Sequence, residues 1–325
     1  MLKPLLSIIT LFAFSVSVVH AEEPRDPWLW PFASSSEWNT PIGSGAQFAP
    51  DNAPITQDVT GGNADIHAGT WSHPLYLSTL QDPIKQVVDN ENKRVFSAHI
   101  PPGARPDPKA DAHMYVVEPD KHYVLEMYGT KIQPDGNIQT VRAFVIDLYG
   151  DGMHFHDGSK FPGIRAMDAS GFGGLIRAWE LKAHSIHHAL TFLLPFSRLK
   201  HGPVWPSARE DYWGFRDYKG NVPIGTLIAI PPNVDITALG LTPSGLVLAR
   251  ALQDYGAYCD DSSGYNGILL SAEGATEGMP ELEQMRKDFI TLHRYLRPVT
   301  NNTPASIGGG GAPRQPPAPP LALHP

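Results

Sequence analysis

Residues 111–128 read DAHMYVVEPDKHYVLEMY, and residues 141–148 read VRAFVIDL. As strands, the first run places His113, Tyr115 and Val117 on one face and Met114, Val116 and Glu118 on the other. The second sets Tyr123, Leu125 and Met127 against Val124, Glu126 and Tyr128. The third sets Val141, Ala143, Val145 and Asp147 against Arg142, Phe144, Ile146 and Leu148. Period-two alternation, rich in aromatic and β-branched residues, predicts strands over 111–119, 123–128 and 141–148. Glu126 and Asp147 stand in line with apolar neighbours. An ionised carboxylate there is costly unless it is paired, hydrogen-bonded or open to a cleft. A face with Tyr beside Glu is suited to a sugar-binding groove.

Outward from this block, shorter strand signals occur at 70–77, 94–99, 186–194 and 226–230. Pro101-Pro102-Gly103 and Pro106-Asp107-Pro108 mark a loop. With 30 Gly and 32 Pro, the chain is turn-rich and favours many short strands. Helices are expected at 175–183, from Thr242-Pro243 to Tyr255, and from Pro280 to Leu296, where Leu282, Met285, Phe289 and Leu292 repeat at helical spacing. The expected fold is an all-β-dominated sandwich, jelly-roll or concanavalin-like, with two or three short peripheral helices.

Residues 1–21 combine Lys3, an apolar run from Leu5 to Val19 and a Val19-His20-Ala21 site, the pattern of a secretory signal peptide. Cleavage near Ala21 would send a chain beginning near Glu22 to the periplasm or the medium. Residues 22–300 form the expected single domain. Its N-terminal part, 22–51, wraps the core and carries Trp28, Trp30 and Trp38. Residues 301–325, rich in Gly and Pro, are expected to be a disordered tail.

The formal charge of −8, from 25 Lys and Arg against 33 Asp and Glu, gives no support to nucleic acid or an anionic membrane as partner. A single cysteine, Cys259, rules out an internal disulfide or a thiolate metal cluster and reads as a small buried residue. G-x-S-x-G and His-Glu-x-x-His are absent, and the GFGG at 171–174 lacks the lysine of a phosphate loop.

Two chemistries remain, with hydrolysis the first reading and elimination its alternative. Paired carboxylates serve glycoside hydrolysis, with Glu126 joined by Asp147 or Asp168; an ion pair of Glu126 with Arg142, Arg165 or Arg177 is the structural counterpart. A His or Tyr base serves β-elimination in a polysaccharide lyase, with His113 and His188 as candidates. Arg177, Tyr128, Asp147 and Trp205 are the candidate substrate-binding residues. His154-Phe155-His156 has metal-ligand alternation, but the residues after it lack the Glu of the cupin pattern, so no metal or other cofactor is expected. The expected partner is extracellular polysaccharide, met by a monomer. A non-catalytic carbohydrate-binding protein is the alternative of another class.

Several phrases recur together: SEWNTP at 36–41, Asp-x-His at 111–113, VIDL at 145–148, AMDASG at 166–171, GGLIR at 173–177, IHHAL at 186–190, VWP at 204–206 and ALQDYGAY at 251–258. The set resembles a broad group of secreted bacterial β-rich proteins, loosely associated with concanavalin-like and jelly-roll carbohydrate-active proteins. The resemblance covers nearly all of the chain from residue 22 to about 261. It implies one β-rich domain with His113, Glu126, Asp168, Arg177 and His188 as its polar motif positions. The Glu-x-Asp-x-x-Glu of the sandwich glucanases does not occur at Glu126-Met127-Tyr128-Gly129.

Overall fold

The computed structural model describes residues 23–109, 111–153 and 163–323. The expected signal peptide and the His154/His156 pair lie outside these residues. In chain order, the first strands are β1 (Asn63–His67), β2 (Leu75–Leu77), β3 (Ile84–Asp89), β4 (Arg94–His99), β5 (Met114–Val117) and β6 (Tyr123–Tyr128). They continue with β7 (Lys131–Ile132), β8 (Ile138–Thr140), β9 (Arg142–Asp147), β10 (Leu190–Pro195), β11 (Leu199–Lys200) and β12 (Val222–Pro223). The last are β13 (Leu227–Ala229), β14 (Ala257–Ser263), β15 (Gly267–Ser271) and β16 (Arg297–Pro298). The helices are α1 (Pro54–Thr60), α2 (Ala178–Ala183), α3 (Gly214–Asp217), α4 (Pro243–Asp254) and α5 (Pro280–Leu292).

The architecture is sheet-rich, with several sheets, short helices and, among the described residues, no barrel; strand makes up 27% and helix 20%, more helix than an all-β domain carries. One sheet orders its strands β1-β15-β10-β14-β13-β16, a second β2-β5-β6-β9 and a third β4-β3-β8-β7. Several neighbours run parallel, including β1 with β15 and β10 with β14. Parallel pairs need crossover connections rather than tight hairpins.

The second sheet is covered on both faces. Met114, Val116, Leu125, Met127 and Ala143 pack with Val87, Ala98 and Ile138 of the third sheet in one apolar core. Tyr115, Val117, Val124, Phe144 and Ile146 face the larger core, which also takes in Phe192, Tyr258 and Leu270 of the six-stranded sheet and Leu248, Leu252, Met285 and Phe289 of α4 and α5. The alternation read in the sequence therefore assigns the faces, and both of them are interior. Every polar side chain on β5 and β6 that points inward must then find a partner inside the protein.

Residues 301–323 correct the expectation of a disordered tail. Leu321 bridges to Arg25 and Pro313 to Gly43. Arg314 Nε donates to Asp254 Oδ1 at 3.1 Å and Gln315 Nε2 to Asp254 Oδ2 at 2.6 Å. Asn301 Nδ2 donates to the carbonyls of Gly45 and Gly309, both at 3.0 Å. Gly308 to Gly311 all have positive φ, and a Cβ on Gly309 would come within 2.4 Å of Ala46 Cα. The tail thus docks through backbone bridges and side-chain hydrogen bonds together, lying along the N-terminal segment. That segment is tied to the body of the protein, with Phe32 N donating to Leu148 O and Ile42 N to Asp254 O. Trp38 is buried edge-on against Tyr258, so it plugs the core and does not face solvent.

Candidate functional site

Four features converge on the inward face of β5 and β6. Tyr115 and Glu126 are cross-strand partners, and Phe144 of β9 lies on the other side of Glu126. Glu126 is fully buried. Its carboxylate accepts from the Ser170 hydroxyl, from Gly171 N at 3.1 Å and from Phe172 N at 3.2 Å, and the amide of Ile164 adds to this. Burial pushes its carboxyl up to about 7, against the pull of these donors. None of the three arginines considered as its ion-pair partner holds it: Arg142 pairs with Glu91, Arg165 with Asp260 and Arg177 with Glu273. Glu126 is thus the anchor of the 164–172 loop and lines no open groove.

That loop lies over Tyr115. A Cβ on Gly171 would come within 2.4 Å of Tyr115 Oη, so only glycine lets the backbone approach so closely. The phenol lies between two imidazoles, with His73 Nδ1 at 2.9 Å and His113 Nδ1 at the longer 3.4 Å. The two rings stack, their centroids 5.6 Å apart, and His113 also packs against Tyr128. One hydroxyl has one proton, so Tyr115 can donate to one histidine while accepting from the other, which makes the three a short proton path. Burial, then the Arg165 charge, hold His113 down at about 3 and His73 well below its ordinary value. Burial also raises the Tyr115 phenol well above its usual range. All three are neutral around pH 7.

Arg165 Nε lies 2.8 Å from Asp260 Oδ2, and its Nη2 lies 3.4 Å from Asp261 Oδ2. Consecutive strand residues normally face opposite ways. Here the pairing of β10 with β14 skips one position: Phe192 pairs with Cys259, and Leu193 with Asp261. The resulting β-bulge at Asp260 lets both carboxylates turn to one guanidinium, the re-aiming that bulges provide. Burial pushes Asp261 up to about 7.

Asp168 lies on the same loop with φ at +67°, a left-handed conformation that Asp tolerates better than most residues. Its Oδ1 is 3.0 Å from Arg209 Nη1. Its Oδ2 is buried and has no hydrogen-bond partner among the described residues. Burial raises this carboxyl to about 7, with Arg209 pulling the other way. Ser207 Oγ donates to Met167 O at 3.3 Å, which brings the loop of Trp205 alongside. Trp205 itself is half-buried.

The remaining candidates lie elsewhere. Asp147 is exposed at the end of β9, 3.3 Å from His122 Nε2. His188 is buried with Nε2 2.9 Å from Glu180 Oε1 and Nδ1 2.9 Å from its neighbour's carbonyl, Ala189 O. Both ring nitrogens face acceptors, so the ring is held as imidazolium. Burial alone would lower it, but the charge and hydrogen bond of Glu180 outweigh this and leave its pKa raised. Glu180 Oε2 accepts from Arg177 N at 2.9 Å, and Glu273 takes Arg177 Nε at 2.6 Å and Ala178 N at 2.7 Å. The Arg177 guanidinium lies over Trp28 and Phe172. This second network therefore secures the start of α2 and its contact with β15.

The sequence reading brought His113, Tyr128 and Asp168 to the first cluster, and Arg177 and His188 to the second. It missed His73, Tyr115 as a chemical group, Arg209 and the Asp260–Asp261 pair, and it offered Arg165 to Glu126 where its partners are those two aspartates. The adjacent carboxylates after the apolar Tyr258-Cys259 were the one available signal.

Among the described residues, no group of three or more His, Cys, Asp and Glu is arranged to hold a metal ion. No helix among them is long and apolar enough to cross a membrane. No protein-family model, no curated protein and no solved structure matches this chain.

Proposed function

We propose that the chain is an exported, monomeric enzyme that degrades extracellular polysaccharide by β-elimination, with its proton chemistry at Tyr115, His113 and His73. The observation that carries this reading is the Tyr115 hydroxyl held between two neutral imidazoles, in the field of Arg165; all four side chains are buried, so substrate would reach them only where the 164–172 loop over Tyr115 parts from β5. In such a reaction a histidine removes the C5 proton of a uronate. The electron pair becomes the C4–C5 double bond, the C4–O glycosidic bond breaks, and the leaving oxygen takes the Tyr115 proton. The phenolate then recovers a proton from the imidazolium. A uronate carboxylate entering beside Arg165 would offset the charge that keeps the histidines weakly basic, so they become better bases when substrate is bound. Tyr128 and Asp168 lie at the edge of the cluster and would meet the sugar.

A second reading, hydrolysis, is favoured by Asp168. A carboxyl raised to about 7, with one oxygen that has no hydrogen-bond partner among the described residues, suits a general acid. The sandwich relationship to jelly-roll and concanavalin-like carbohydrate-active folds belongs with this proposal; the stacked sheets support it, and the parallel strand pairs do not.

The test is a panel of polyuronates and neutral glycans, read for new reducing ends and for the ultraviolet absorbance of unsaturated uronate ends. Elimination raises both signals together. Reducing ends alone move the assignment to Asp168 and hydrolysis. Neither signal on any glycan removes the enzymatic reading.

A further inference from the structure

The aromatic loop at 210–218, EDYWGFRDY, takes no part in the site described above. We infer that Tyr212, Trp213 and Phe215 form a sugar-stacking platform that carries a glycan chain up to the Asp168–Arg209 edge of the candidate site. The inference rests on the carbohydrate reading and names the binding surface that reading requires.

The loop is pinned at several points. Arg209 holds Asp168 at 3.0 Å. Glu210 accepts from Gly202 N at 2.9 Å and contacts His201 Nδ1 at 2.5 Å. Tyr218, 5% exposed, donates its hydroxyl to Asp211 at 2.6 Å and packs on Phe196. From this fixed base three rings are held out in water, with Tyr212 77%, Trp213 49% and Phe215 61% exposed. They touch in series, Tyr212 edge-on to Trp213 at 4.5 Å and Trp213 tilted to Phe215 at 6.1 Å. The Arg216 guanidinium lies over Trp213 at 4.6 Å and is itself fixed by Asp217. A cluster of exposed apolar rings on a rigid loop is the mark of a binding surface, because nothing in folding requires it.

The chemistry favours a glycan. A pyranose offers an apolar C–H face to an aromatic ring and hydroxyls to the carboxylates and guanidinium around it, which is the mixed recognition that Trp and Tyr serve. The flanking charges balance, with Arg209, Arg216 and Lys219 against Glu210, Asp211 and Asp217. An anionic membrane would be met by excess positive charge. The platform is also continuous with the candidate site through the Arg209–Asp168 contact.

The experiment is native-gel affinity electrophoresis of the folded chain through polygalacturonate, alginate, xylan and β-glucan, with phosphatidylglycerol vesicles in a separate flotation assay. The wild type should be retarded by at least one glycan. Trp213→Ala should weaken that binding up to about tenfold, the scale of one lost aromatic contact, with partial recovery in Trp213→Tyr. Leu80→Ala, at a residue 74% exposed, should bind as wild type does. No retardation by any glycan, equal retardation of the Tyr212/Trp213/Phe215 triple alanine variant, or loss of vesicle binding alone in that variant would overturn the platform. Binding is read in a Tyr115→Phe background as well. If that variant binds yet still degrades glycan, the catalytic assignment fails while the platform stands.

Discussion

His113 and His188 are both buried, both lie on or beside strands, and both stand at motif positions, yet they are opposites. His113 shares a phenol with His73 under a guanidinium and is held neutral, down at about 3. His188 faces Glu180 and a carbonyl, and its pKa is raised. The first has a hydroxyl that can accept or release a proton. The second is locked between acceptors and fastens a helix start. Burial of a histidine says little about its role; the partner at each ring nitrogen decides it.

The sharpest way to break this comparison is kinetic. Tyr115→Phe should lower turnover about 10²–10⁴-fold, the usual loss for a general acid or base, while His188→Gln should leave turnover per folded molecule unchanged. Steady-state rates on the responsive glycan, normalised to folded protein, separate the two; equal losses would merge the regions into one site. Stability should rank them the other way. His188→Gln leaves Glu180 as an unpaired buried carboxylate and should cost about 3–5 kcal/mol in urea unfolding. Glu126→Gln should cost about 2–4 kcal/mol, because an amide NH₂ then faces backbone N–H donors with no acceptor for them. A Glu126→Gln protein as stable as wild type would remove the loop-anchor role. Deleting residues 301–325 should lower the melting temperature by about 5–10 °C, since a docked segment of this size is worth a few kcal/mol; an unchanged melting temperature would return the tail to disorder.

The pH profile of stability separates the two histidines again. The His188 contribution is fully present below its unfolded value near 6.5 and is lost as pH rises through its raised folded value. His113 works in the other direction. Its folded value near 3 lies below 6.5, so its contribution is present above 6.5 and is lost as pH falls towards 3. Glu126, raised to about 7, contributes fully below its unfolded value near 4.5 and loses that contribution as pH rises through 7. Urea midpoints from pH 4 to 9 should therefore show a flattened alkaline arm in His188→Gln and a flattened acid arm in His113→Gln. Parallel profiles for the two variants would contradict the assigned charge states.

Much of the central sheet was legible. The expected strands at 94–99 and 123–128 match β4 and β6 residue for residue, and alternation sorted Val124, Glu126 and Tyr128 from Leu125 and Met127. Helices starting at Pro243 and Pro280 followed from their proline starts and apolar stripes. What lay against each face was not legible, because period two gives the side a residue faces and not what covers it. Glu126 therefore read as a groove residue when it is a loop anchor. Strand β14 was hidden because Asp260-Asp261-Ser262-Ser263-Gly264 has the composition of a turn; pairing with β10 and β13 makes it a strand, with the acidic pair turned to Arg165 at the bulge. His73 carried no signal, since its partners come from β5. The tail was misread because composition reports neither its backbone bridges to Arg25 and Gly43 nor the bonds of Arg314 and Gln315 to Asp254.

The docking of residues 301–323 along residues 23–49 has a consequence for how the chain is made. Arg25 reaches the carbonyl of Pro319 across 294 residues of sequence. Residues 23–49 therefore lack these contacts until residues 301–323 have been made, so this part of the fold cannot be completed on a shorter chain. Closing so long a loop adds little entropy beyond that of a shorter one, but it sets an order: any product cut or stopped before residue 301 would leave the 23–49 segment without its cover. Arg25 and Leu321 also bridge directly, so donor and acceptor dyes placed beside these two residues would report the docking of the two segments in one signal.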